Sequence, residues 1–470
     1  MFVHFYPVIF HPFFAYIVEI SFMVILVLKL LKNSFIRGTF YLTVAGFLSR
    51  IIGFFFRIFT AHAFGEEAMG IFQLTAPVMA LSYSLCCSGF QTALSKYVAQ
   101  FDTSSDTKKC YQLLFSCICI TLISTSVVGI FVYSESNYIA ANLLKEPRCA
   151  SLLKILSLSF PLSAIHCCIN GFYYGKKKTS IPSILQLCEQ CIRVGSIFLL
   201  YTISVYYYND APIFILMAGN VIAEGVVAII SFFYILVTLP KADSFNQPFC
   251  KISKNNFFPL IKMAIPLSAS RVIVNLLQSI EAIYIPEKLK VFGMNTKEAL
   301  STYGVLTGMA LSLILFPTAI TNSVAVLLLP YVSNAEARGN IVGITKTLKK
   351  ILFYCLLMGI FSTTFFYLFA PFLGQFLFHS SLAGTYIRGL SFICPFLYLN
   401  TTLSSTLNGL GRSISTFFVN TCSLLIRIMF VFLLIPHIGI SGYLIGLLCS
   451  QLSSCLLYLF FLRKYICFRT

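Results

Sequence analysis

Twelve runs of apolar residues, each about 20 residues or longer, constrain this 470-residue chain more than any other feature. Their approximate limits are 38–60, 69–92, 112–133, 151–173, 182–205, 212–238, 257–282, 302–330, 350–373, 385–408, 414–436 and 440–462. Coiled as an α-helix at ~1.5 Å per residue, each run spans about 30 Å, the thickness of a bilayer's hydrocarbon core. Helix also lets every backbone polar group be satisfied where no water reaches. With 58% hydrophobic and 10% charged residues and a mean hydropathy of +0.88, too little polar surface remains to solvate a soluble domain. The expected fold is an all-α polytopic membrane protein in the cell membrane.

Residues 1–31 are a further apolar segment, either an extra span or the result of a start placed upstream of a natural one at Met23; they lack the basic region and small-residue cleavage site of a signal peptide. Tryptophan is absent, so the interfacial aromatic belt falls to tyrosines such as Tyr206, Tyr207 and Tyr208. The 17 cysteines lie mostly inside apolar runs, where they act as small hydrophobes. Cys188 and Cys191 form a CxxC with no second pair or nearby histidine, so neither a disulfide framework nor a metal site is expected.

The net charge of +18 resolves into topology. Twenty Lys and Arg residues, in segments such as Lys176 to Lys178 and Lys346 to Lys350, fall on one side of the spans, and six, among them Lys145, Arg148 and Arg388, on the other. The basic side is cytoplasmic, and it holds both core termini. The positive charge is therefore no nucleic-acid footprint.

The chain also repeats. Gly70 and Gly304, Val98 and Val332, Pro161 and Pro395, Gly175 and Gly409, Cys188 and Cys422, and Arg193 and Arg427 are all 234 residues apart. Ser49-Arg50 and Ser270-Arg271 match at 221, which places about 13 extra residues in the second half's outer turn, near Val291 to Glu298. Two six-helix repeats, 32–238 and 257–470, are expected, joined by a polar linker at 239–256. Because six is even, both enter from the same side and are parallel.

Five arginines and three glutamates lie inside the spans. Arg50, Arg193 and Arg427 sit roughly 15–20 Å deep, near the midplane, and Arg271 slightly further out. Charged groups at such depth are costly and mark functional sites. Arg50 and Arg57 are seven apart and share a helix face, although Arg57 could instead snorkel to an interface. Glu189 and Arg193 at i, i+4 form a natural ion pair. Arg50, Arg271 and Arg427 have no carboxylate within four residues, which leaves Glu224 on another helix or an anionic substrate as partner. The substrate-binding set is therefore Arg50, Arg57, Arg193, Arg271, Arg427 and Glu224 around a central cationic cavity, with Glu189 and Glu281 as coupling or ion-pair residues. Pro161, Pro266, Pro317 and Pro395 bend or loosen spans. The histidines are single and read as structural or interfacial. No catalytic arrangement, Walker motif or cofactor motif is present.

The stretches SRIIGFFFRIFTAHAFGEEAMGIF, TALSKYVAQ, GFYYGKKKTSIPSILQLCEQCIRV, YGVLTGMALSLILFPTAITNSVAVLLLPYVSNAEA and LNGLGRS, read together, resemble the polysaccharide transporter family of the multidrug, oligosaccharidyl-lipid and polysaccharide flippase superfamily, which includes the lipid II flippase of bacterial cell-wall synthesis. The resemblance covers about residues 34–465. It implies a transporter, not an enzyme, that moves an undecaprenyl-pyrophosphate-linked saccharide to the outer leaflet by alternating access, with a peptidoglycan precursor, in a sporulation setting, as the expected cargo. It implies a cavity-lining role for Arg50 directly and for Arg271 more loosely. Where that family has a second basic residue in the first helix, this chain has Phe56, with Arg57 displaced by one. The partners expected are the lipid-linked oligosaccharide, the bilayer and a coupling cation. The alternative is a cation-coupled multidrug exporter of the same superfamily, which would need a carboxylate deep in the first or seventh helix, where this chain has arginine.

Overall fold

The computed structural model describes residues 34–103, 107–238 and 254–467. The apolar segment 1–31 and most of the 239–256 linker lie outside the described residues. Among those described, all regular secondary structure is helical. The first helix, Ser34–Tyr83, runs through a π-helical turn, Ser84–Ser88, into Gly89–Thr103. Its apolar part, Tyr41–Phe101, has 61 residues, about 90 Å of helix and three times the apolar layer. Gly65, at φ 80° and ψ 175°, divides it into the first and second spans, a conformation open to glycine because it has no Cβ.

The third span is Thr107–Ser134, and the fourth joins Cys149–Ser157 to Ser159–Gly175 through a 45° bend. The bend has a local cause: the Pro161 ring meets the carbonyl four residues back, at Ser157. Ser180–Tyr208 and Phe214–Thr238 complete the first repeat. The second repeat begins with Lys254–Val291. Gly293 turns the chain at φ 113°, and a capping box between Asn295 and Glu298 starts the eighth span at Thr296. That span breaks before Pro317 and resumes as Thr318–Ala337. Ile341–Phe378, Ser381–Leu390 with Cys394–Gly409, Ser413–Leu433 and Ile440–Cys467 follow. The tenth span carries a short 3₁₀ turn, Ser391–Ile393, just before Pro395, the repeat partner of Pro161.

Matching residues make matching contacts. Gly175 packs on the Ser95 carbonyl and Val98, and Gly409 packs on the Leu329 carbonyl and Val332, every pair 234 residues apart. Gly70 and Gly304 meet each other: a Cβ on Gly70 would strike the Leu300 carbonyl, and one on Gly304 the Glu66 carbonyl, again a repeat-related pair. The axis relating the halves therefore passes between these two glycines. With no hydrophobic drive between helices in lipid, such close backbone approach at small residues supplies much of the association. Val127, Ile130, Phe233, Phe361 and Phe372 are exposed, as lipid-facing side chains are.

Candidate functional site

The seam between the halves is crossed by arginines. Arg50, on the first span, donates to Thr318 Oγ1 of the eighth at 2.9 Å, and Arg57 donates to the Thr307 carbonyl at 3.4 Å. Arg271, on the seventh span, donates to the Ser88 carbonyl at 2.9 Å and Thr92 Oγ1 at 3.2 Å on the second. Asn275 adds a bond to the Ala80 carbonyl at 3.2 Å. The repeat thus sets Arg50 and Arg271 on opposite seams, each bonded to a neutral acceptor. Among the described residues, neither they nor Arg57 has a carboxylate within ion-pair distance. Arg57 does not snorkel, because it is turned onto the neighbouring half.

Arg193 and Arg427, also repeat-related, are each neutralised. Arg193 pairs with Glu189 one turn away on its own helix. Arg427 lies 3.3 Å from Glu281 on the seventh span, whose Oε1 also accepts from Tyr443 at 2.7 Å. The expectation that Arg427 depends on Glu224 or on substrate is corrected: its carboxylate comes from a helix far away in sequence.

Each half borders a cavity with polar groups in its wall. The C-half cavity, about 620 Å³, is lined by Arg50 and Arg427 and by neutral groups including Gln278, Asn322, Asn400, Asn420, Gln451 and Tyr458. The N-half cavity, about 280 Å³, is lined by Tyr83, Cys87, His166, Asn170, Glu189 and Glu224, among others. The cavities correspond through the repeat: His166, Asn170 and Glu189 occupy the positions of Asn400, Ser404 and Ser423, and Glu224 that of Gln451, in the register that matches Gly219 on Ser196 with Gly446 on Phe430. The eight charged residues therefore divide between two cavities and the seam, instead of converging on one point.

Glu224 is not the lone acid its sequence neighbourhood suggests, and it does not meet Arg50 or Arg271. Its Oε2 lies 3.7 Å from His166 Nδ1, which is also 4.0 Å from Glu189 Oε2. His166 is the site residue that sequence reasoning passes over. Its signal is the repeat itself, which aligns it with a second polar residue, Asn400, deep in the matching span.

Two parallel six-helix repeats, each bordering a cavity, with arginines along the seam define a multi-pass helical protein of the cell membrane. The chain belongs to the polysaccharide biosynthesis protein family, whose model matches residues 35–336; the MatE family model matches 289–433. It is 26% identical over 433 residues to stage V sporulation protein B of Bacillus subtilis (strain 168), covering 91% of this chain and 83% of that protein. It is 24% identical over 178 residues to the lipid II flippase MurJ of the same organism, 36% of this chain and 32% of that protein. An inward-facing multidrug resistance MATE family transporter superposes with a TM-score of 0.71 at 12% identity, covering 89% of this chain and 95% of that one. The lipid II flippase MurJ in its inward closed conformation gives 0.70 at 16% identity, covering 90% and 87%. The chain is thus a multi-pass membrane protein of the polysaccharide biosynthesis protein family, with the fold of MOP superfamily transporters.

Proposed function

We propose that the protein carries an undecaprenyl-diphosphate-linked saccharide, a peptidoglycan precursor, from the cytoplasmic to the outer leaflet by alternating access. The observation that carries this reading is the set of three seam arginines, Arg50, Arg57 and Arg271, without carboxylates, beside two others that have them. A planar guanidinium matches phosphate oxygens in charge and geometry. The lipid II flippase among the relatives and the sporulation protein that matches over most of this chain support the choice of cargo.

The seam gives this binding a mechanical consequence. Arg50 and Arg271 hold neutral oxygens of the opposite half, and a diphosphate offers each a charged acceptor instead. Binding draws them off Thr318 and off Ser88 and Thr92, which loosens the seams, so the substrate interacts differently with the two states, as any shift of population requires. Arg50 also borders the C-half cavity, whose amides and hydroxyls suit sugar hydroxyls and whose volume lies within the usual ~300–1,000 Å³ of small-molecule sites. Hydrogen bonds to charged groups contribute about 1.5–3 kcal/mol. Arg50→Ala and Arg271→Ala should each weaken binding of undecaprenyl diphosphate to the purified protein in nanodiscs by roughly ten- to a hundred-fold. Arg388→Ala, stacked on Tyr367 away from the seam, should not. Unchanged affinity in both seam variants would refute the assignment.

The MatE match supports a second reading, cation-coupled drug export. Unpaired guanidinium groups repel the organic cations such exporters carry; increased resistance to cationic drugs on expression would favour it.

A further inference from the structure

The substrate reading leaves the ionisable cluster of the N-half cavity without a task. We propose that His166, Glu189 and Glu224 form a proton-binding site that takes up and releases one proton; its use in the transport cycle rests on the flippase reading above, whereas the site itself does not. One ligand atom from each of the three lies within 4.8 Å of the others. The Glu224 side chain is 8% exposed, and its Oε2 has no hydrogen-bond partner. Asn170 Nδ2 lies 2.8 Å from His166 Nε2. With the amide assigned in that orientation, Nε2 accepts and Nδ1–H is aimed at the two carboxylates.

The charge count shows what is missing. Two carboxylates, Arg193 and a neutral imidazole leave the cluster one negative charge in excess, costly in a site of low dielectric. One proton on Nε2 neutralises it. The Asn170 amide then turns over so that its Oδ1, orphaned at present, accepts from Nε2–H, and both imidazole nitrogens donate. The proton comes from water and returns to it, and no other bond changes.

A metal ion fits less well. Arg193 already occupies Glu189, and the free Glu224 oxygen is shut off from solvent, whereas a proton needs no added volume. The other groups facing the cluster are a phenol and thiols. Tyr83 of the second span donates to Cys167 at 3.5 Å, Cys87 lies beside them, and the third span contributes only Thr125 and Val128. Arg271 of the seventh span stands beyond Ser88.

Two further observations separate this cluster from mere packing. The matching cavity of the C half is built with Asn400, Ser423 and Gln451 at the same three positions, and Asn400 donates to Gln451 at 2.8 Å, so the scaffold does not require ionisable groups there. The π-helical turn Ser84–Ser88 also touches both places: Cys86 and Cys87 line the cavity, and the Ser88 carbonyl accepts from Arg271 of the other half. The charge on the cluster therefore changes next to an arginine contact that joins the halves.

The test is ¹⁵N-histidine NMR of the full chain in lipid nanodiscs, titrated with pH in the absence of substrate. His166→Asn, which installs the residue found in the other half, assigns the His166 signal by removing it. The expected result is conversion of His166 from its neutral tautomer to imidazolium, with proton affinity lower by roughly tenfold or more in Glu224→Gln and in Glu189→Gln. An imidazole that stays neutral throughout, one indifferent to both substitutions, or one that responds to Na⁺ at fixed pH in place of protons, overturns the proposal. A titrating His166 in a protein that binds no undecaprenyl diphosphate would instead leave the proton site standing and remove the flippase reading.

Discussion

The five arginines within the spans differ in the carboxylate each can reach, and that difference sets what their removal should cost. Taking one partner from a buried ion pair leaves an uncompensated charge, at about 3–5 kcal/mol. Glu281→Ala strands Arg427 and deprives Tyr443 of its acceptor, so it should sharply lower the thermal unfolding midpoint in detergent, and adding Arg427→Met should recover part of the loss. Arg50→Ala and Arg271→Ala give up charge-assisted bonds to neutral acceptors, about 1.5–3 kcal/mol each, but strand no opposite charge, and should insert and fold. Equal destabilisation in both groups would make the seam arginines structural. The Glu189–Arg193 pair is legible in the sequence because both groups lie one turn apart on one helix. Glu281 and Arg427 sit on the seventh and eleventh spans, and Glu224 and His166 on the sixth and fourth, so only packing shows who meets whom.

Among the elements, glycines and prolines decide where spans end and how closely they approach. Gly304 lies against the backbone of Glu66 and Gly70, which cannot yield as a flexible side chain can. Gly304→Val should therefore pry the halves apart at that end. In a cysteine-depleted background, Ser301→Cys, whose native hydroxyl bonds Glu66 at 2.6 Å, should become more reactive to an impermeant thiol reagent; unchanged reactivity would mean that the seam absorbs the side chain elsewhere. Run length alone located the spans, because apolar residues must match the bilayer. It could not show that the fourth span bends at Pro161, or that the ninth runs from Ile341 to Phe378 instead of 350–373. There the helix starts where Asn340 accepts the Gly343 amide at 2.8 Å and takes in the basic segment Thr345 to Lys350, so the end of a run of hydropathy is not the end of a helix.

At the scale of the whole molecule, the 234-residue repeat carries most of what the sequence discloses: parallel halves, matched glycine contacts and the opposed placement of Arg50 and Arg271. The division of charge between two cavities stays hidden, because it depends on which helix faces turn inward. Orientation comes from the unequal distribution of Lys and Arg. A cysteine at Lys177 should label only from the cytoplasmic side and one at the exposed Lys145 only from outside, and the reverse pattern would invert the molecule. The measurement that bears most directly on the proposed function is transfer of a fluorescent undecaprenyl-diphosphate-linked disaccharide between leaflets of proteoliposomes, followed with an impermeant quencher. The wild type and Arg388→Ala should transfer it, and Arg50→Ala and Arg271→Ala should do so roughly tenfold more slowly or less. Wild-type transfer rates in the double variant Arg50→Ala/Arg271→Ala, or no transfer by the wild type, would contradict the assignment.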